Sequence, residues 1–286
     1  MPPISGDTLL YGLLSQGAKY TLSPAMHNRA AKILGKDLLY AHFDLKAERV
    51  KDFLLLFWHM NGQGLNVTMP HKNLVASLVK TEGLESVNTL VRGPLGWIGH
   101  STDGDGFLLG LHEAHANISD FDAVIILGSG GAAQSILRSI ALTTAERPLM
   151  TIIHRRSKAA DQKLRNAISA APVQMLTLRS MDETSFIDTM KESLGLKRLI
   201  IQATSAPKHG NTLAGYVPAL DFMTTEDLLV DLIYDQPSEL YSVATQRGLP
   251  TQDGLPMLIE QARLSQKLWW GESVTYEDLE RAIKEA

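Results

Sequence analysis

The run from Gly64 to Lys72 reads G-L-N-V-T-M-P-H-K and brings three polar side chains together within a few residues. Its apolar residues predict a short strand, which the proline ends. Asn66 and Thr68 can hydrogen-bond a hydroxyl group, and the amine of Lys72 can exchange a proton with it. These groups suit a small substrate that carries several hydroxyls and loses a proton. A strand edge, a turn and a solvated lysine form the structural alternative.

A glycine-rich loop follows the apolar run Ala123–Leu127, which is typical of a buried strand, and precedes a predicted helix. Gly128 permits a tight turn, Gly130 lets the backbone approach a pyrophosphate, and the small Ala133 lets helix and strand pack closely. The helix N-terminus adds free N–H groups and a positive dipole end for the anion. The pattern predicts a dinucleotide site, with a merely tight turn as the alternative. The residues assigned to it are Gly128, Ser129, Gly130, Gly131, Ala132 and Ala133.

The next predicted strand ends in a basic turn, His154-Arg155-Arg156-Ser157. NAD sites usually carry an acidic residue at this place for the ribose 2′-hydroxyl, and the turn has no carboxylate. Guanidinium groups suit a 2′-phosphate instead. The turn therefore favours NADP as the cofactor, with NAD as the alternative. A solvated basic turn that binds neither is the structural alternative.

Short strands and helices alternate up to about residue 105. Ser23 and Pro24 open a helix that Gly35 closes, with Ser23 as its N-cap. Further helices are predicted over Ala47–His59 and Phe107–Ala116. The predicted strands are Leu9–Leu14, Leu38–Phe43 and Gly64–Val67, followed by a hairpin of Thr89–Val91 and Trp97–His100.

Beyond Phe121 the apolar strands become continuous, as expected of strands that are covered on both faces. Helical stretches separate most of them, which predicts an α/β fold with a doubly wound parallel sheet. The change of pattern along the chain predicts a two-domain enzyme with a cleft between the domains, and such clefts are where small ligands usually bind. After Gly254 the chain is predicted to be helical, anchored by Trp269 and Trp270. The predicted strands are Ala123–Leu127, Leu149–Ile153, Val173–Leu176, Leu199–Ile201 and Leu228–Ile233.

The composition is that of a globular chain: 286 residues, of which 44% are hydrophobic and 20% charged. A formal net charge of −4 gives no general electrostatic attraction for nucleic acid. The chain has no cysteine, and its 9 histidines show no metal-ligand spacing, so no metal site is expected. The first residues lack a signal-peptide pattern, and the apolar runs are too short to span a bilayer. We therefore expect a cytoplasmic protein without a membrane partner.

Together the motifs resemble the shikimate/quinate dehydrogenase family, and the resemblance runs nearly end to end. It rests on L-S-P-A-M-H-N (22–28), N-V-T-M-P-H-K (66–72), V-N-T (87–89), T-D-G (102–104), the glycine-rich loop, and D-G-L-P-M-L (253–258) with Gln261. The resemblance implies an N-terminal α/β substrate domain over residues 1–105 and a Rossmann domain over 106–252. It also implies C-terminal helices over 253–286 that return to the first domain, and a place in aromatic amino acid biosynthesis.

By this resemblance the protein is expected to interconvert a ring alcohol and a ketone of a shikimate- or quinate-type acid, by hydride transfer with NADP. Lys72 is then the catalytic lysine and Asp103 its partner, because a carboxylate can orient an amine that moves a proton. Thr21 and Ser23 align with the hydroxyls that hold the substrate carboxylate, and Tyr234 aligns with a tyrosine near the substrate. The residues aligned with binders of the ring hydroxyls are Asn66, Thr68, Asn88 and Gln261.

Several flanking residues depart from the family pattern: Ser101 and His154 each stand where an asparagine is usual. A paralogue that oxidises another cyclic polyol is therefore an alternative, and so is a non-catalytic metabolite sensor on the same scaffold. The lysine–aspartate pair argues against a sensor. Dehydrogenases of the methylene-tetrahydrofolate type share the two-domain layout, but Thr21, Ser23 and the T-D-G motif argue against that class. We expect a monomer or a homodimer.

Overall fold

The computed structural model describes residues 4–18, 21–143, 148–168, 176–207 and 210–286. The chain forms two compact units. Unit 1 comprises Met1–Gly106 together with Ile259–Ala286, so segments from both ends of the chain belong to one unit. Unit 2 comprises Phe107–Leu258. Each unit is built around one β-sheet.

Helices and strands alternate along most of the chain. The strands are β1 (Leu9–Ser15), β2 (Leu38–Asp44), β3 (Gly64–Val67), β4 (Thr89–Gly93), β5 (Gly96–His100), β6 (Ala123–Leu127), β7 (Leu149–His154), β8 (Leu176–Ser180), β9 (Arg198–Gln202), β10 (Leu228–Asp231) and β11 (Thr251–Gln252). The helices are α1 (Ser23–Ile33), α2 (Ala47–His59), α3 (Lys72–Leu78), α4 (Asp103–Gly110), α5 (Gly131–Thr143), α6 (Lys158–Ala167), α7 (Glu183–Glu192), α8 (Glu239–Gln246), α9 (Leu255–Trp270) and α10 (Tyr276–Lys284). No helix in the described ranges is both long and apolar enough to cross a membrane.

Unit 1 contains a mixed five-stranded sheet in the order β2-β1-β3-β4-β5. β1 pairs in parallel with β2 and β3, whereas β4 pairs antiparallel with β3 and β5. Leu14, Phe57 and Leu65 belong to the apolar core that β1, α2 and β3 share. In the β3–β4 pair, Asn66 lies opposite Thr89, so the N-V-T and V-N-T motifs meet at one place in the sheet.

The C-terminal helix α9 is anchored on this sheet by its tryptophans, as the sequence predicts. A Cβ atom on Gly64 would lie 2.4 Å from Trp269 Nε1, so β3 must begin with a glycine for the indole to fit. The same nitrogen donates a hydrogen bond to the carbonyl of Leu90 at 2.9 Å. Trp269 and Trp270 both pack against the ring of Tyr11.

Unit 2 contains six parallel strands in the order β11-β10-β9-β6-β7-β8, which confirms the predicted doubly wound sheet. Every residue of β6 and β9 is buried. Val124 and Ile126 belong to one apolar cluster, while Ile125 and Leu127 belong to another. Because successive side chains of a strand point to opposite faces, the sheet carries a core on each side.

The start of α1 differs from the prediction. Ser23 is not the N-cap: Leu22 occupies that position without a side-chain hydrogen bond, and Ser23 is the first helical residue. The hydroxyl of Thr21 accepts a hydrogen bond from the backbone N–H of Ser23 at 3.3 Å. Thr21 therefore satisfies one backbone N–H at the start of α1. The sequence had predicted that the Ser23 side chain would satisfy a backbone N–H here.

Three other elements also differ. The helix predicted over Phe107–Ala116 begins at Asp103, ends at Gly110 and continues as a 3-10 turn. The strand predicted over 173–176 is β8, which starts at Leu176, while residues 173–175 lie outside the described ranges. Its sequence L-T-L-R-S alternates apolar and polar residues, so the bounds of β8 cannot be read from a continuous apolar run. The two-residue strand β11 is too short for any sequence pattern.

Candidate active site

Lys72 and Asp103 form an ion pair in unit 1. Lys72 is the first residue of α3, and Asp103 is the first residue of α4. The Nζ atom of Lys72 donates a hydrogen bond to Oδ2 of Asp103 at 2.6 Å. Their side chains are 12% and 2% exposed, so the pair is sheltered while part of the lysine stays accessible. The two residues predicted to act together are therefore in direct contact.

Asn88 holds the second oxygen of Asp103. Its Nδ2 donates to Asp103 Oδ1 and to the hydroxyl of Thr102, each at 2.9 Å. Its Oδ1 accepts from the backbone N–H of Thr102 at 2.8 Å and from the hydroxyl of Thr89 at 3.2 Å. The buried amide of Asn88 is thus oriented at both ends and fixes the carboxylate that faces Lys72.

Gln261 of α9 completes this group. Its Oε1 accepts from Asn88 Nδ2 at 3.2 Å, and its backbone carbonyl accepts from the hydroxyl of Thr102 at 3.1 Å. A Cβ atom on Gly106 would lie 2.8 Å from the backbone nitrogen of Gln261, so this glycine allows α4 and α9 to approach. Within the described ranges Gln261 Nε2 has no partner, which leaves its two N–H donors to a ligand.

The side chain of Asn66 lies beside the same group. Its Oδ1 accepts from the phenol of Tyr40 at 2.8 Å. Its Nδ2 lies near three acceptors: the hydroxyl of Ser265 at 3.0 Å, the hydroxyl of Thr89 at 3.1 Å and the carbonyl of Asn88 at 3.2 Å. Asn66 and Asn88 are therefore members of one hydrogen-bonded network.

Tyr40 and Ser265 belong to this network although no sequence motif pointed to them. Ser265 is fully buried and donates to the carbonyl of Gln261 at 2.9 Å. Residues four apart lie on one face of a helix, so the predicted site residue Gln261 was the available signal for Ser265. Thr68, predicted as a ligand, is partly buried, and its hydroxyl has no partner in the described part of the chain.

Thr21 and Ser23 stand together at the start of α1, with their hydroxyl oxygens 3.4 Å apart. Burial raises the pKa of the Tyr40 phenol well above its ordinary value, and a hydrogen bond with Ser23 offsets a smaller part. Tyr40 is therefore a neutral phenol that connects the hydroxyl pair with Asn66. Tyr234 follows β10 in unit 2 and is partly buried, whereas the other predicted substrate residues lie in unit 1.

His27 lies one helical turn after Ser23 and is fully buried. Its ring stacks on that of Tyr40 with the centroids 4.4 Å apart. Burial lowers the pKa of His27 to about 3, and a hydrogen bond with Asn66 opposes this only in part. The imidazole is therefore neutral near pH 7 and packs against the ring of Tyr40.

The glycine-rich loop of unit 2 joins β6 to α5 and has the geometry of a phosphate cradle. Gly128 has a φ of +115°, and a Cβ atom there would lie 3.0 Å from the carbonyl of Ala203, so glycine is required. A Cβ atom on Gly130 would meet nothing within 4 Å, which leaves open space for a ligand. The side chain of Gln134 donates to the carbonyl of Ser129 at 2.9 Å and holds the loop. The first N–H groups of α5 have no partner within the helix.

The basic turn after β7 uses its two arginines differently. Arg156 donates to the carbonyl of Leu178 at 2.9 Å and forms an ion pair with Asp161. Arg155 is exposed, and among the described residues its guanidinium has no partner. Arg155 is thus available to an anion, whereas the guanidinium of Arg156 is engaged with Leu178 and Asp161; the cofactor role of both arginines stays a prediction.

Asp161 is a carboxylate near this turn that sequence reasoning missed. A hydrogen bond from Arg156 is the main cause that lowers its pKa. His154 Nε2 lies 3.2 Å from Asp161 Oδ1, yet burial lowers the pKa of His154 more than this neighbour raises it. Ser157 is the N-cap of α6 and accepts from the N–H of Ala160 at 3.1 Å. Asp161 is therefore paired with Arg156 rather than presented to a ribose.

These features of unit 2 fit a dinucleotide with a 2′-phosphate. The open backbone at Gly130 and the start of α5 suit a pyrophosphate, and Arg155 suits the additional phosphate. The described residues contain no group of three or more histidines and carboxylates that could hold a metal ion.

Comparison with known proteins agrees with both units. Residues 13–90 match the family model of the shikimate dehydrogenase substrate binding domain. A shikimate dehydrogenase (NADP(+)) of Alkaliphilus metalliredigens is 31% identical over 98% of this chain and 98% of its own length. The structure of shikimate 5-dehydrogenase from Listeria monocytogenes, in complex with shikimate and NAD, is similar with a TM-score of 0.82 and 27% identity over 98% of each chain. A ligand-free 5-ketofructose reductase of Gluconobacter sp. shares the fold, with a TM-score of 0.77 and 23% identity over 98% of this chain and 99% of that one. The chain belongs to the shikimate dehydrogenase family.

Proposed function

We propose that the protein catalyses the reversible oxidation of shikimate to 3-dehydroshikimate with NADP. The observation that carries this proposal is the sheltered Lys72–Asp103 pair, with Asn88 and Gln261 bonded around it. The full-length relative from Alkaliphilus is a shikimate dehydrogenase (NADP(+)), and the Listeria relative binds shikimate. Oxidation of a ring alcohol needs a group that moves the hydroxyl proton and groups that bind the other hydroxyls, and a lysine–carboxylate pair beside polar side chains provides both.

Proton transfer is assigned to Lys72. When the side chain is an ammonium, one hydrogen is used on Asp103 and two remain. In the reducing direction this ammonium donates a proton to the carbonyl oxygen, and in the oxidising direction the neutral amine takes that proton from the hydroxyl. The carboxylate of Asp103 keeps the nitrogen in place and stabilises its positive charge.

The remaining polar groups are assigned to substrate binding. The free amide donors of Gln261 and the hydroxyl of Thr68 suit ring hydroxyls. Thr21 and Ser23 suit the substrate carboxylate, because the start of α1 adds backbone N–H groups and a favourable dipole. Tyr234 stays a predicted substrate residue from unit 2.

NADP supplies the hydride acceptor when it is bound. Residues 128–133 would hold its pyrophosphate, and Arg155 would hold its 2′-phosphate. His154, Arg156 and Ser157 shape the turn that carries Arg155. NAD remains the alternative cofactor from the sequence.

A spectrophotometric assay tests the proposal. The purified protein is incubated with shikimate or quinate and with NADP or NAD, and formation of reduced cofactor is followed. Turnover of shikimate with NADP at a higher kcat/KM than any other pair supports the proposal. Turnover of quinate alone would reassign the substrate, and binding of shikimate without any turnover would favour the sensor alternative.

The sequence left a dehydrogenase for a different cyclic polyol open, and the relatives named shikimate dehydrogenase do not favour that alternative. The Gluconobacter enzyme is a 5-ketofructose reductase on the same fold, so the fold alone does not choose the substrate. The cytoplasmic location and the monomeric or homodimeric state stay predictions from the sequence.

A further inference from the structure

Asp231 closes the turn that carries Tyr234 at both of its ends. It is the last residue of β10, and its side chain is fully buried. Its Oδ1 accepts from the backbone N–H of Ile233 at 3.0 Å, and its Oδ2 accepts from the backbone N–H of Ser238 at 3.1 Å. The hydroxyl of Ser238 bonds the same carboxylate. One side chain therefore joins the beginning and the end of the segment 232–238.

Gln202 and Gly254 fix the start of the same turn. The backbone carbonyl of Gln202 accepts from the N–H of Leu232 at 3.0 Å, and its side-chain Nε2 lies 3.4 Å from Asp231 Oδ1 as a further donor. A Cβ atom on Gly254 would lie 2.2 Å from the carbonyl oxygen of Leu232, so this glycine lets the two segments pack closely. Residues 235–237 are exposed, so the orientation of the turn depends on the contacts at its two ends.

This turn lies at the edge of the sheet of unit 2 where ligands of such sheets bind. Asp231 ends β10, and the glycine-rich loop follows the end of β6 in the same parallel sheet. Ligands of doubly wound sheets bind at the carboxyl ends of the strands. Gln202 ends β9, and its amide bonds the backbone of Thr204, which lies against Gly128. The contacts of Asp231 and Gln202 therefore connect the turn of Tyr234 with the glycine-rich loop.

The turn requires a carboxylate at residue 231 because both oxygens act as acceptors. The two backbone N–H groups approach different oxygens, and an asparagine would place its NH2 group against one of them. Burial raises the pKa of Asp231, and hydrogen bonds from Ser238, Ile233 and Gln202 oppose this rise. A buried charge has a desolvation cost, which the hydrogen bonds with the turn must offset.

From this geometry we propose that Asp231 is a positioning residue that holds Tyr234 in the orientation that binds the substrate. This inference rests on the proposed function, which assigns Tyr234 to the substrate. The carboxylate is buried and bonded within the turn, so Asp231 acts through the backbone of residues 232–238. Loss of these bonds should weaken substrate binding and leave proton transfer at Lys72 in place.

The nearly isosteric variant Asp231→Asn releases one end of the turn. It should raise KM for shikimate by about three- to tenfold and change kcat by less than about twofold, because a group that binds substrate and transition state equally alters KM alone. In a thermodynamic cycle, Asp231→Asn should have no further effect on KM when Tyr234→Phe is already present. A merely structural residue would give additive losses. Additive losses, or an unaltered KM in Asp231→Asn, overturn the proposal.

Asp227 provides a matched control at the opposite end of β10. It is also fully buried, and its Oδ2 accepts from the N–H of Thr224 at 2.8 Å. Asp227→Asn should lower Tm, because it weakens the ion pair of the buried Arg198, and should leave KM for shikimate at the wild-type value. Asp122→Asn, at an exposed carboxylate that precedes β6, is a milder second control. A rise in KM in these controls as large as that in Asp231→Asn would contradict the proposal.

Amide hydrogen exchange measures the turn without any ligand. The peptide that contains Ile233 and Ser238 should exchange at least about tenfold faster in Asp231→Asn than in wild type, because a buried N–H loses its acceptor. The rate in Asp122→Asn should equal that of wild type. If Asp231→Asn does not fold, Ser238→Ala removes only the hydroxyl donor and should give the same changes at a smaller size. Unaltered exchange and KM in that variant would also overturn the proposal.

Calorimetric titration with shikimate separates this inference from the proposed function. Binding without turnover sinks only the proposed activity, and the dissociation constant then replaces KM in each comparison above. Absence of binding for every cyclic hydroxy acid sinks both.

Discussion

Lys72 and Asp103 each occupy the first position of a helix, and their side chains meet at 2.6 Å beside a segment that bonds both residues. The N–H of Val87 donates to the carbonyl of Lys72 at 3.2 Å, next to Asn88 on the same segment. Asn88 in turn fixes Asp103. The pair is therefore held by the Val87–Asn88 segment that leads into β4, and it does not depend on two flexible side chains finding each other.

Replacement of this lysine is the most direct test of the chemistry. Lys72→Ala should lower kcat by roughly 10²–10⁴-fold, the usual effect of losing an acid–base group, with a smaller change in KM. Steady-state kinetics with shikimate and NADP measure both. Lys80→Ala, an exposed lysine of the same unit, is the control and should keep wild-type turnover. Near-normal kcat in Lys72→Ala would remove this lysine from the mechanism.

The two arginines of the basic turn give a matched pair for cofactor choice. Arg155→Ala should reduce kcat/KM with NADP by about 10- to 100-fold and leave that with NAD nearly unaltered, because a hydrogen-bonded charge is worth about 1.5–3 kcal/mol. Arg156→Ala should affect NADP far less, since that guanidinium is bonded to Asp161 and Leu178. The reverse order of effects would assign the phosphate to Arg156.

A third substitution in the same turn should shift the cofactor preference from NADP towards NAD. Ser157→Asp adds the carboxylate that a ribose diol needs, and aspartate caps a helix as well as serine does. We expect the ratio of kcat/KM for NAD over NADP to rise at unaltered Tm. A wild type that already prefers NAD would contradict the interpretation of the turn.

The hydroxyl pair at α1 can be tested separately for binding and for stability. Loss of both hydroxyls in Thr21→Ala/Ser23→Ala should raise KM for the acid by more than about tenfold and leave KM for the cofactor unaltered. Thr21→Ala should also lower Tm, because its oxygen accepts from the N–H of Ser23, whereas Ser23→Ala leaves that bond in place. Ser23→Ala is therefore the cleaner probe of the carboxylate. Unaltered KM in the double variant would show that another group holds it.

Acid should destabilise the protein through His27. Its pKa is about 3 when folded and near 6.5 when unfolded, so between these values only the unfolded chain binds the proton. The free energy of unfolding should then fall by roughly 1.4 kcal/mol per pH unit below about 6.5, or about 2 kcal/mol at about pH 5. Denaturant titrations at several pH values measure this slope.

His27→Phe is the matched variant, because it keeps an aromatic ring against Tyr40 and cannot titrate. Burial also lowers the pKa values of His100 and His154, so part of the acid loss persists in both proteins. The difference between the two slopes isolates His27. Parallel slopes would mean that this histidine is protonated in the folded protein.

The sequence predicted the sheet of unit 2 well because its central strands are buried on both faces and read as continuous apolar runs. Contiguous motifs also revealed Asn66, Lys72 and Asn88. Ser265 and Tyr40 were not predicted as site residues because they contact Asn66 from distant segments of the chain. A single buried serine or tyrosine is not part of any sequence motif. The N-cap at Ser23 was wrong because the helix begins one residue earlier than expected: Leu22 takes the cap position, and Thr21 accepts from the N–H of Ser23.

The turn after β7 shows a different limit of sequence reasoning. Its four residues contain no carboxylate, yet Asp161 lies a helical turn further along and still reaches Arg156. Arg156 precedes the helix and Asp161 lies in its first turn, so their pairing depends on how the turn folds and not on the spacing within a helix. Arg155 and Arg156 look equivalent in the sequence, but in the structure only Arg156 is bonded to Asp161.

Unit 1 is assembled from Met1–Gly106 and Ile259–Ala286, and Gln261 and Ser265 come from the second piece. During synthesis the 152 residues of Phe107–Leu258 leave the ribosome before that piece exists. The nascent chain therefore carries Lys72 and Asp103 for most of its translation without the helix that completes their surroundings. Closing a loop of this length is slow relative to local folding. The segment translated after unit 2 is thus the one that completes the site, and chains truncated before it should accumulate as inactive species with a folded unit 2.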